Sequence, residues 1–465
     1  MQKAHFGMIG LGTMGRNFLL NIAEHGIPGV GFDLDAAKRE LLVKEGAGMP
    51  VDVGIDQADF LAKLESPRNI MMLVPAGPIV DAVIAGLAPH LEPGDLIIDG
   101  GNSHYTDTDR RDAELSSKNI GFMGVGVSGG EAGARHGASI MPGGRREFYD
   151  RVEATLQAVS AKVEGEPCVA YMGSGSAGHF VKMVHNGIEY GLMQIISEAY
   201  DYMKRVLGMD DAAMSQTFAE WNSKELNSFL VEITATVLAK KDVDTGGPLV
   251  EQILDTAGQK GTGKWTSQAA MDFGIPIPTI DSAVSMRQIS SQKANRKTIA
   301  NKYSASISGQ KESLDDLRSA LFCAFIITYT QGMSLLQSAS TEKNYGLNLA
   351  DISKIWRGGC IIRSALLEEM RSAYAANPNC ESLLLDDKFA GILSNHVDSL
   401  RRTVTAFISN GVPSMCFSSV LAYFDAFRTE RLPANLIQAQ RDYFGAHTYQ
   451  RLDKEGTFHT PDWDR

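Results

Sequence analysis

Lys182, His185, Asn186, Glu189 and Tyr190 stand at i, i+3, i+4, i+7 and i+8, so in a helix turning about 100° per residue they share one face. Phe180, Val181, Met183, Val184, Ile188, Leu192 and Met193 occupy most of the remaining circumference. The pattern across residues 178–194 predicts a buried helix that presents a polar stripe to a cavity. A lysine, a glutamate two turns further on and a histidine between them are materials for acid and base chemistry, because burial and mutual charge tune each group. The competing reading is an internal salt bridge, since buried charges are rare unless paired.

Such a stripe needs something to face. Residues 1–177 alternate short apolar runs with helical stretches, the rhythm of a parallel sheet with crossover helices. Strands are expected at 5–9, 29–33, 70–74, 96–99, 121–125 and 169–172, punctuated by PAGP, EPGD, DGGN, VSGG and MPGG. From 178 to 432 helix-compatible segments dominate, and residues 433–465 form a tail rich in aromatic, histidine and charged residues without sustained periodicity. The expected fold class is α/β: a Rossmann-like dinucleotide-binding domain, then a large all-α domain, then a C-terminal tail that lies on another surface.

Gly10, Gly12 and Gly15 form G-x-G-x-x-G directly after the first strand, at the start of a helix expected over 14–25. Glycines there permit a tight turn and close backbone approach, while helix-terminal N–H groups receive a pyrophosphate. The strand before, the helix after and an acidic residue at the end of the next strand supply the context this motif requires. That acidic residue, Asp33, can accept hydrogen bonds from ribose hydroxyls and, with Asp35, would repel a 2′-phosphate that no adjacent Arg answers. NAD is therefore expected over NADP. Asp33 is also a plausible cap for the following helix.

The ligand crevice of an open parallel sheet lies beyond the carboxyl ends of its strands. Two glycine-rich loops fall there, residues 99–105 with Asn102 and 127–137 with Ser128, Gly129 and Gly130, where bare backbone N–H groups can approach a ligand oxygen. GQKGTGKW at 258–265 superficially resembles a P-loop, but Trp265 replaces the magnesium-binding hydroxyl and no strand precedes it, so an ATPase is rejected. Its Lys260 and Thr262 could still serve a phosphate. Arg287, Arg441 and His447, taken singly, read as surface residues. No HExxH, EF-hand or paired Cys/His spacing appears, and no catalytic metal is expected.

Composition narrows the partners. A formal charge of −11 over 465 residues argues against general nucleic-acid binding, and any anionic ligand needs a local cationic cluster. Five cysteines without CxxC spacing fit free thiols in a reducing compartment, and the opening AHFGMIG has no signal-peptide character, so the cytoplasm is expected. Residues 319–341 lack charge over a membrane-spanning length, yet carry Thr, Gln and Ser, and are read as a core helix.

With these segments in hand, the chain resembles the decarboxylating 6-phosphogluconate dehydrogenase family of the pentose phosphate pathway along its full length. The motifs that carry the resemblance are GLGTMGRN, IIDGGNSHYTDTDRR, GVSGGEAGARHGASIMPGG, GHFVKMVHNGIEYG, ILDTAGQKGTGKWT, NLADISKIWRGGCIIRS and QAQRDYFGAHTY, in that order. The resemblance implies hydride transfer from C3 of 6-phosphogluconate to a nicotinamide, loss of CO2 from the 3-keto acid, and protonation of the enediol to give ribulose 5-phosphate. It assigns Lys182 as the base that takes the C3 hydroxyl proton and Glu189 as the acid that protonates C1 of the product. It places the sugar acid on Asn102, Ser128, Gly129, Gly130, His185 and Asn186. Tyr190, Lys260, Thr262 and Arg287 fall at the phosphate, joined by Arg441 and His447 from the tail of a partner subunit in a homodimer. Coenzyme positions are Gly10, Gly12, Thr13, Met14, Gly15, Asp33, Val74, Ala76 and Asn102.

The departures bear on the coenzyme. Where most of the family has Asn-Arg-Thr after the second strand, this chain has Asp33, Leu34 and Asp35, and Pro75 follows Val74 where a lysine is common. Leu192 replaces a commonly acidic position beside the stripe, without an evident sequence reason. An unphosphorylated 3-hydroxy acid dehydrogenase and a catalytically silent nucleotide binder are the alternatives.

Overall fold

The computed structural model describes residues 3–303 and 307–464. Its amino-terminal part alternates β1 (Phe6–Ile9), α1 (Thr13–Glu24), β2 (Gly29–Phe32), α2 (Ala36–Glu45), β3 (Val51–Val53), α3 (Gln57–Ala62), β4 (Asn69–Met72), α4 (Pro78–Leu87), β5 (Leu96–Asp99), α5 (Tyr105–Ser116), β6 (Gly121–Val127), α6 (Gly130–His136), β7 (Ile140–Gly144) and α7 (Arg146–Val159). The strands form one sheet in the order β3-β2-β1-β4-β5-β6-β7. Pairing is parallel from β3 to β6, with Gly7 opposite both Val30 and Ile70, and antiparallel between β6 and β7. FGMI, NIMM and LIID are buried at every position, as expected of central strands covered on both faces. The strand order reverses direction between β1 and β4, which places the loops after β1, β4 and β5 around one crevice.

Two strands differ from expectation. β7 carries IMPGG, which reads locally as a turn; Pro142 is tolerated because the strand lies at the sheet edge, where a missing donor costs little. β3 has three residues and is only partly buried, too short for a periodic signal. The expected strand at 169–172 is not a ladder. It runs beside β7 through isolated bridges, Val169 to Ile140 and Gly173 to Gly143, because Pro142 between them has no N–H to extend the pairing.

The helical part is α8 (Ala177–Arg205), α9 (Asp211–Asn222), α10 (Phe229–Ala239), α11 (Thr262–Asp272), α12 (Pro278–Ser291), α13 (Lys293–Ala300), α14 (Leu314–Glu342), α15 (Leu349–Ile355), α16 (Leu366–Ala376), α17 (Asp387–Ser409), α18 (Met415–Phe427) and α19 (Ala434–Gly445). α14 is long and apolar enough to cross a membrane, but its apolar window is 94% buried between α8 and α17. It is a core helix, in which each fully buried Leu, Ile or Phe contributes about 1.5–3 kcal/mol. α8 lies directly on β6 and β7 through glycines: a Cβ on Gly143 would stand 2.2 Å from the Gly178 nitrogen, and one on Gly126 would stand 2.4 Å from the Lys182 Cβ.

The tail is organised around one carboxylate. Buried Asp442 accepts hydrogen bonds from the Thr448 and Thr460 N–H groups and from Trp463 Nε1, and pairs with His459 Nδ1. α19 meanwhile exposes Leu436, Ile437, Tyr443 and Phe444.

Candidate active site

Lys182, His185 and Tyr190 of the α8 stripe are buried, Asn186 and Glu189 half-buried, and hydrogen bonds connect Lys182, His185 and Asn186. Lys182 Nζ donates to Asn186 Oδ1 at 2.8 Å and lies 3.5 Å from His185 Nδ1, which is 3.0 Å from the same Asn186 oxygen. His185 Nε2 lies 3.4 Å from Ser128 Oγ at the end of β6, and the ring meets Trp356 edge-on at 5.5 Å. Asn186 Nδ2 donates to Thr262 Oγ1 at 3.3 Å. Neutral His185 donating from Nδ1 to Asn186 and accepting from the Ser128 hydroxyl at Nε2 satisfies both of those contacts.

Electrostatics follow burial. Desolvation lowers the Lys182 pKa against the pull of Glu189, and drives His185 well below its ordinary value with help from Lys182. The same burial raises Glu189, opposed by Lys182 and Arg287. Each group moves toward neutrality, so a larger fraction of Lys182 is free amine at a given pH and Glu189 is better able to hold a proton. The salt-bridge reading fits poorly, because no Lys182–Glu189 ion pair within 4.0 Å occurs; the approach to Glu189 at 4.0 Å is from the neutral His185 ring at Nδ1.

Beyond the stripe the wall is cationic. Arg287 of α12 stacks its guanidinium 3.7 Å from the Tyr190 ring centroid and donates to Gly258 O at 2.7 Å. That stacking replaces the free surface position its sequence context suggested. Lys260 is exposed just ahead of α11, whose N-terminus at Thr262 has no side-chain cap, leaving N–H groups for an anion. Ser128, Gly129 and Gly130 line the opposite side at the start of α6; Gly129 takes φ 103°, and a Cβ there would stand 2.5 Å from Gly359 O. Asn102 is exposed in the loop after β5. Leu192 faces inward at 1% exposure, which accounts for an apolar residue there, whereas Met193 is more exposed and receives Arg287 Nη2 on its sulfur.

Within one chain, Arg441 donates to Gln438 and His447 packs edge-on against Phe444. Among the described residues no hydrogen bond or ion pair joins either to the α8 stripe. Cys360 and Trp356, which close the site behind Lys182 and His185, belong to the WRGGC segment and had no periodic signal of their own. His179, three residues before Lys182 and not singled out in the sequence, extends the same helix face; it is buried between Thr108 Oγ1 at 2.6 Å and Asp99 O at 3.0 Å.

The glycine loop divides its labour. A Cβ on Gly10 would stand 2.6 Å from Leu73 O, and one on Gly15 would stand 1.9 Å from Gly10 O, whereas Gly12 faces open space beside the uncapped start of α1 at Thr13 and Met14. That cradle fits a dinucleotide pyrophosphate. Val74 and Ala76 follow β4 at the same crevice, ahead of Gly77. Asp33 Oδ2 accepts the Leu11 N–H at 2.8 Å, and Asp35, not Asp33, caps α2. Burial alone would raise the Asp33 pKa, but the N–H groups of Asp35 and Leu11 and the Lys38 ammonium hold it below the usual value. The expectation that no arginine stands nearby is corrected: the first turn of α2 folds Arg39 back to donate to Leu34 O at 3.2 Å and to Asp33 O, with Lys38 3.5 Å from the carboxylate.

A doubly wound sheet with an uncapped glycine-loop helix, joined to a helical domain whose lysine stripe faces the same crevice, defines a Rossmann-type NAD(P)-binding oxidoreductase. Residues 5–173 match the NAD binding domain of 6-phosphogluconate dehydrogenase, and residues 178–463 match its C-terminal domain. The chain belongs to the 6-phosphogluconate dehydrogenase family. It is 49% identical to the NADP(+)-dependent, decarboxylating enzyme of Bacillus subtilis, over 99% of each chain. It is 48% identical to the decarboxylating enzyme of Mus musculus, over 100% of this chain and 97% of the other. The Plasmodium falciparum 6-phosphogluconate dehydrogenase structure, described with NADP+ and with 6-phosphogluconate, superposes with a TM-score of 0.96 at 44% identity, covering 98% of this chain and 100% of that one.

Proposed function

We propose that this protein oxidatively decarboxylates 6-phosphogluconate to ribulose 5-phosphate and CO2 in the pentose phosphate pathway. The observation that carries the reading is the Lys182–His185–Asn186–Glu189 stripe, its lysine and histidine buried, facing Ser128 beside an anion-suited wall. A bound nicotinamide supplies the hydride acceptor. Neutral Lys182 takes the C3 hydroxyl proton as the C3 hydride leaves, and the resulting ammonium holds the new keto oxygen. The C1–C2 bond then breaks, CO2 departs, and the electron pair is stored as the enediol that the ammonium stabilises. Glu189, whose pKa burial raises, delivers a proton to the carbon that becomes C1 of the product. Ser128, Asn186 and His185 orient the sugar acid, with Asn102 and the Gly129–Gly130 backbone, while Tyr190, Lys260, Thr262 and Arg287 receive the phosphate.

The active unit is inferred to be a homodimer in which Arg441 and His447 of each tail reach the partner's site, a reading supported by the exposed apolar residues of α19. NAD is inferred as the preferred coenzyme because the Asp33 carboxylate opposes a 2′-phosphate. Lys38 and Arg39 soften that repulsion, and the Bacillus subtilis relative is named NADP(+)-dependent, so the preference is expected to be modest. Five free, buried cysteines support a cytoplasmic setting. Initial rates on 6-phosphogluconate with NAD and NADP in parallel, with CO2 measured, test all of this. Equal turnover of an unphosphorylated 3-hydroxy acid, or none with either coenzyme, overturns it.

A further inference from the structure

Arg111 is the largest buried cation in the nucleotide-binding half, at 1% exposure, and it touches neither face of the crevice itself. Its Nε donates to Asp81 Oδ1 in α4 at 2.8 Å, and its Nη2 donates to Gly77 O at 3.1 Å, immediately after the Val74–Ala76 loop. Its Nη1 reaches Ser103 Oγ at 3.2 Å and Asp99 Oδ2 at 3.5 Å, on the loop that carries Asn102. Asp99 continues the connection. It accepts Ser103 Oγ–H at 2.6 Å and Gly101 N–H at 3.0 Å, and its carbonyl is bonded by His179 Nε2 at 3.0 Å. His179 lies one turn before Lys182 on α8. The two loops also touch directly, since a Cβ on Gly101 would stand 3.2 Å from Val74 O.

We propose that the Arg111–Asp99 knot is a positioning device for hydride transfer. The guanidinium ties the loop after β4 to the loop after β5, and the Asp99 carbonyl, bonded by His179, carries that tie to the turn of α8 before Lys182. Arg111 is accordingly a positioning residue: it sets the spacing between the nicotinamide side of the crevice and the sugar acid held before Lys182. A lysine cannot reproduce this, because a point ammonium cannot span Asp81, Gly77 and Ser103 together. Deep burial is costly for a cation that merely stabilises the fold, and its acceptors other than Asp81 of α4 sit on the two loops that must be aligned.

This inference rests on the proposed activity, and the test separates the two. Arg111→Lys, Arg111→Met and the milder Ser103→Ala would be compared with the unaltered protein. The readouts are coenzyme and 6-phosphogluconate dissociation constants, kcat, and the primary isotope effect with substrate deuterated at C3. In folded variants kcat should fall about tenfold or more and the isotope effect should rise, while both dissociation constants stay within about threefold. Arg111→Lys should recover less than half of the loss, and Ser103→Ala, which removes one hydroxyl from the knot, should show the same isotope signature if either arginine variant fails to fold. An unaltered isotope effect in folded variants, or a kcat loss that only tracks the folded fraction, overturns the positioning role. An unaltered protein that does not turn over 6-phosphogluconate overturns the functional reading and this inference with it.

Discussion

Lys182 Nζ and the Asn186 amide oxygen are 2.8 Å apart on successive turns of α8, and this bond, not an ion pair, holds the lysine in place. The lysine is thus aimed without being neutralised by a carboxylate. Its pKa lies below 10.5 because it is buried. Between the folded value and 10.5 the unfolded chain binds more protons, so this group's penalty on stability is greatest at low pH and is relieved as pH rises through that window. Lys182→Met is expected to lose about 10²–10⁴ in kcat with little change in substrate affinity. At neutral pH its unfolding midpoint in urea should equal or exceed that of the unaltered protein, the two converging in alkali. A variant that fails to fold would restore the salt-bridge reading.

Glu198, two and a half turns beyond Glu189, caps α18 from within the core. Its two carboxylate oxygens accept the N–H groups of Cys416 and Phe417, each at 3.0 Å. Burial outweighs those bonds and raises its pKa from 4.5 to about 7. The folded state therefore holds a proton that the unfolded state releases, and its contribution is full below pH 4.5 and lost as pH rises through about 7. Over that interval the stability difference between the unaltered protein and Glu198→Gln should fall by about 3 kcal/mol. Urea titrations at pH 5 and pH 8 measure it, and a pH-independent difference would refute the assignment.

Coenzyme choice should respond to single charges at the end of β2. Asp33→Asn keeps an acceptor for the Leu11 N–H and removes the negative charge. The ratio of kcat/KM with NADP to that with NAD is expected to rise about tenfold, or about 1.4 kcal/mol. Arg39→Ala should move the ratio the other way. No response to either would mean the 2′ position lies elsewhere.

Mixing two inactive proteins tests whether the tail serves a partner. Lys182→Met spoils the body of its own site, whereas Arg441→Ala spoils the site its tail completes. Heterodimers then contain one intact site, and a 1:1 exchanged mixture should regain about a quarter of native activity if assortment is random. Absence of recovery after verified subunit exchange would place Arg441 in its own chain's site.

What was legible in the sequence was whatever local periodicity encodes. The polar stripe 182–190 needed only helix geometry to be read, and β1 to α1 announced itself through Gly10, Gly12 and Gly15. β7 was hidden because Pro142 and two glycines imitate a turn, and only its place at the sheet edge makes them acceptable. Arg39 was missed for a related reason: six residues separate it from Asp33, and it takes one helical turn to bring it back onto that residue's carbonyl. Trp356 and Cys360 reach Lys182 and His185 from more than 150 positions away, a distance at which no spacing rule operates.

The glycine contacts beneath α8 determine which motions the enzyme has at its disposal. Helix and sheet meet backbone to backbone at Gly143 and Gly178, and strand to side-chain root at Gly126 and Lys182, leaving no compressible layer between them. A hinge cannot run along such a seam without prising apart close-packed atoms. Substrate entry and product escape are therefore left to the peripheral loop ahead of α11, with Lys182 as the stationary reference from which its opening and closing are measured.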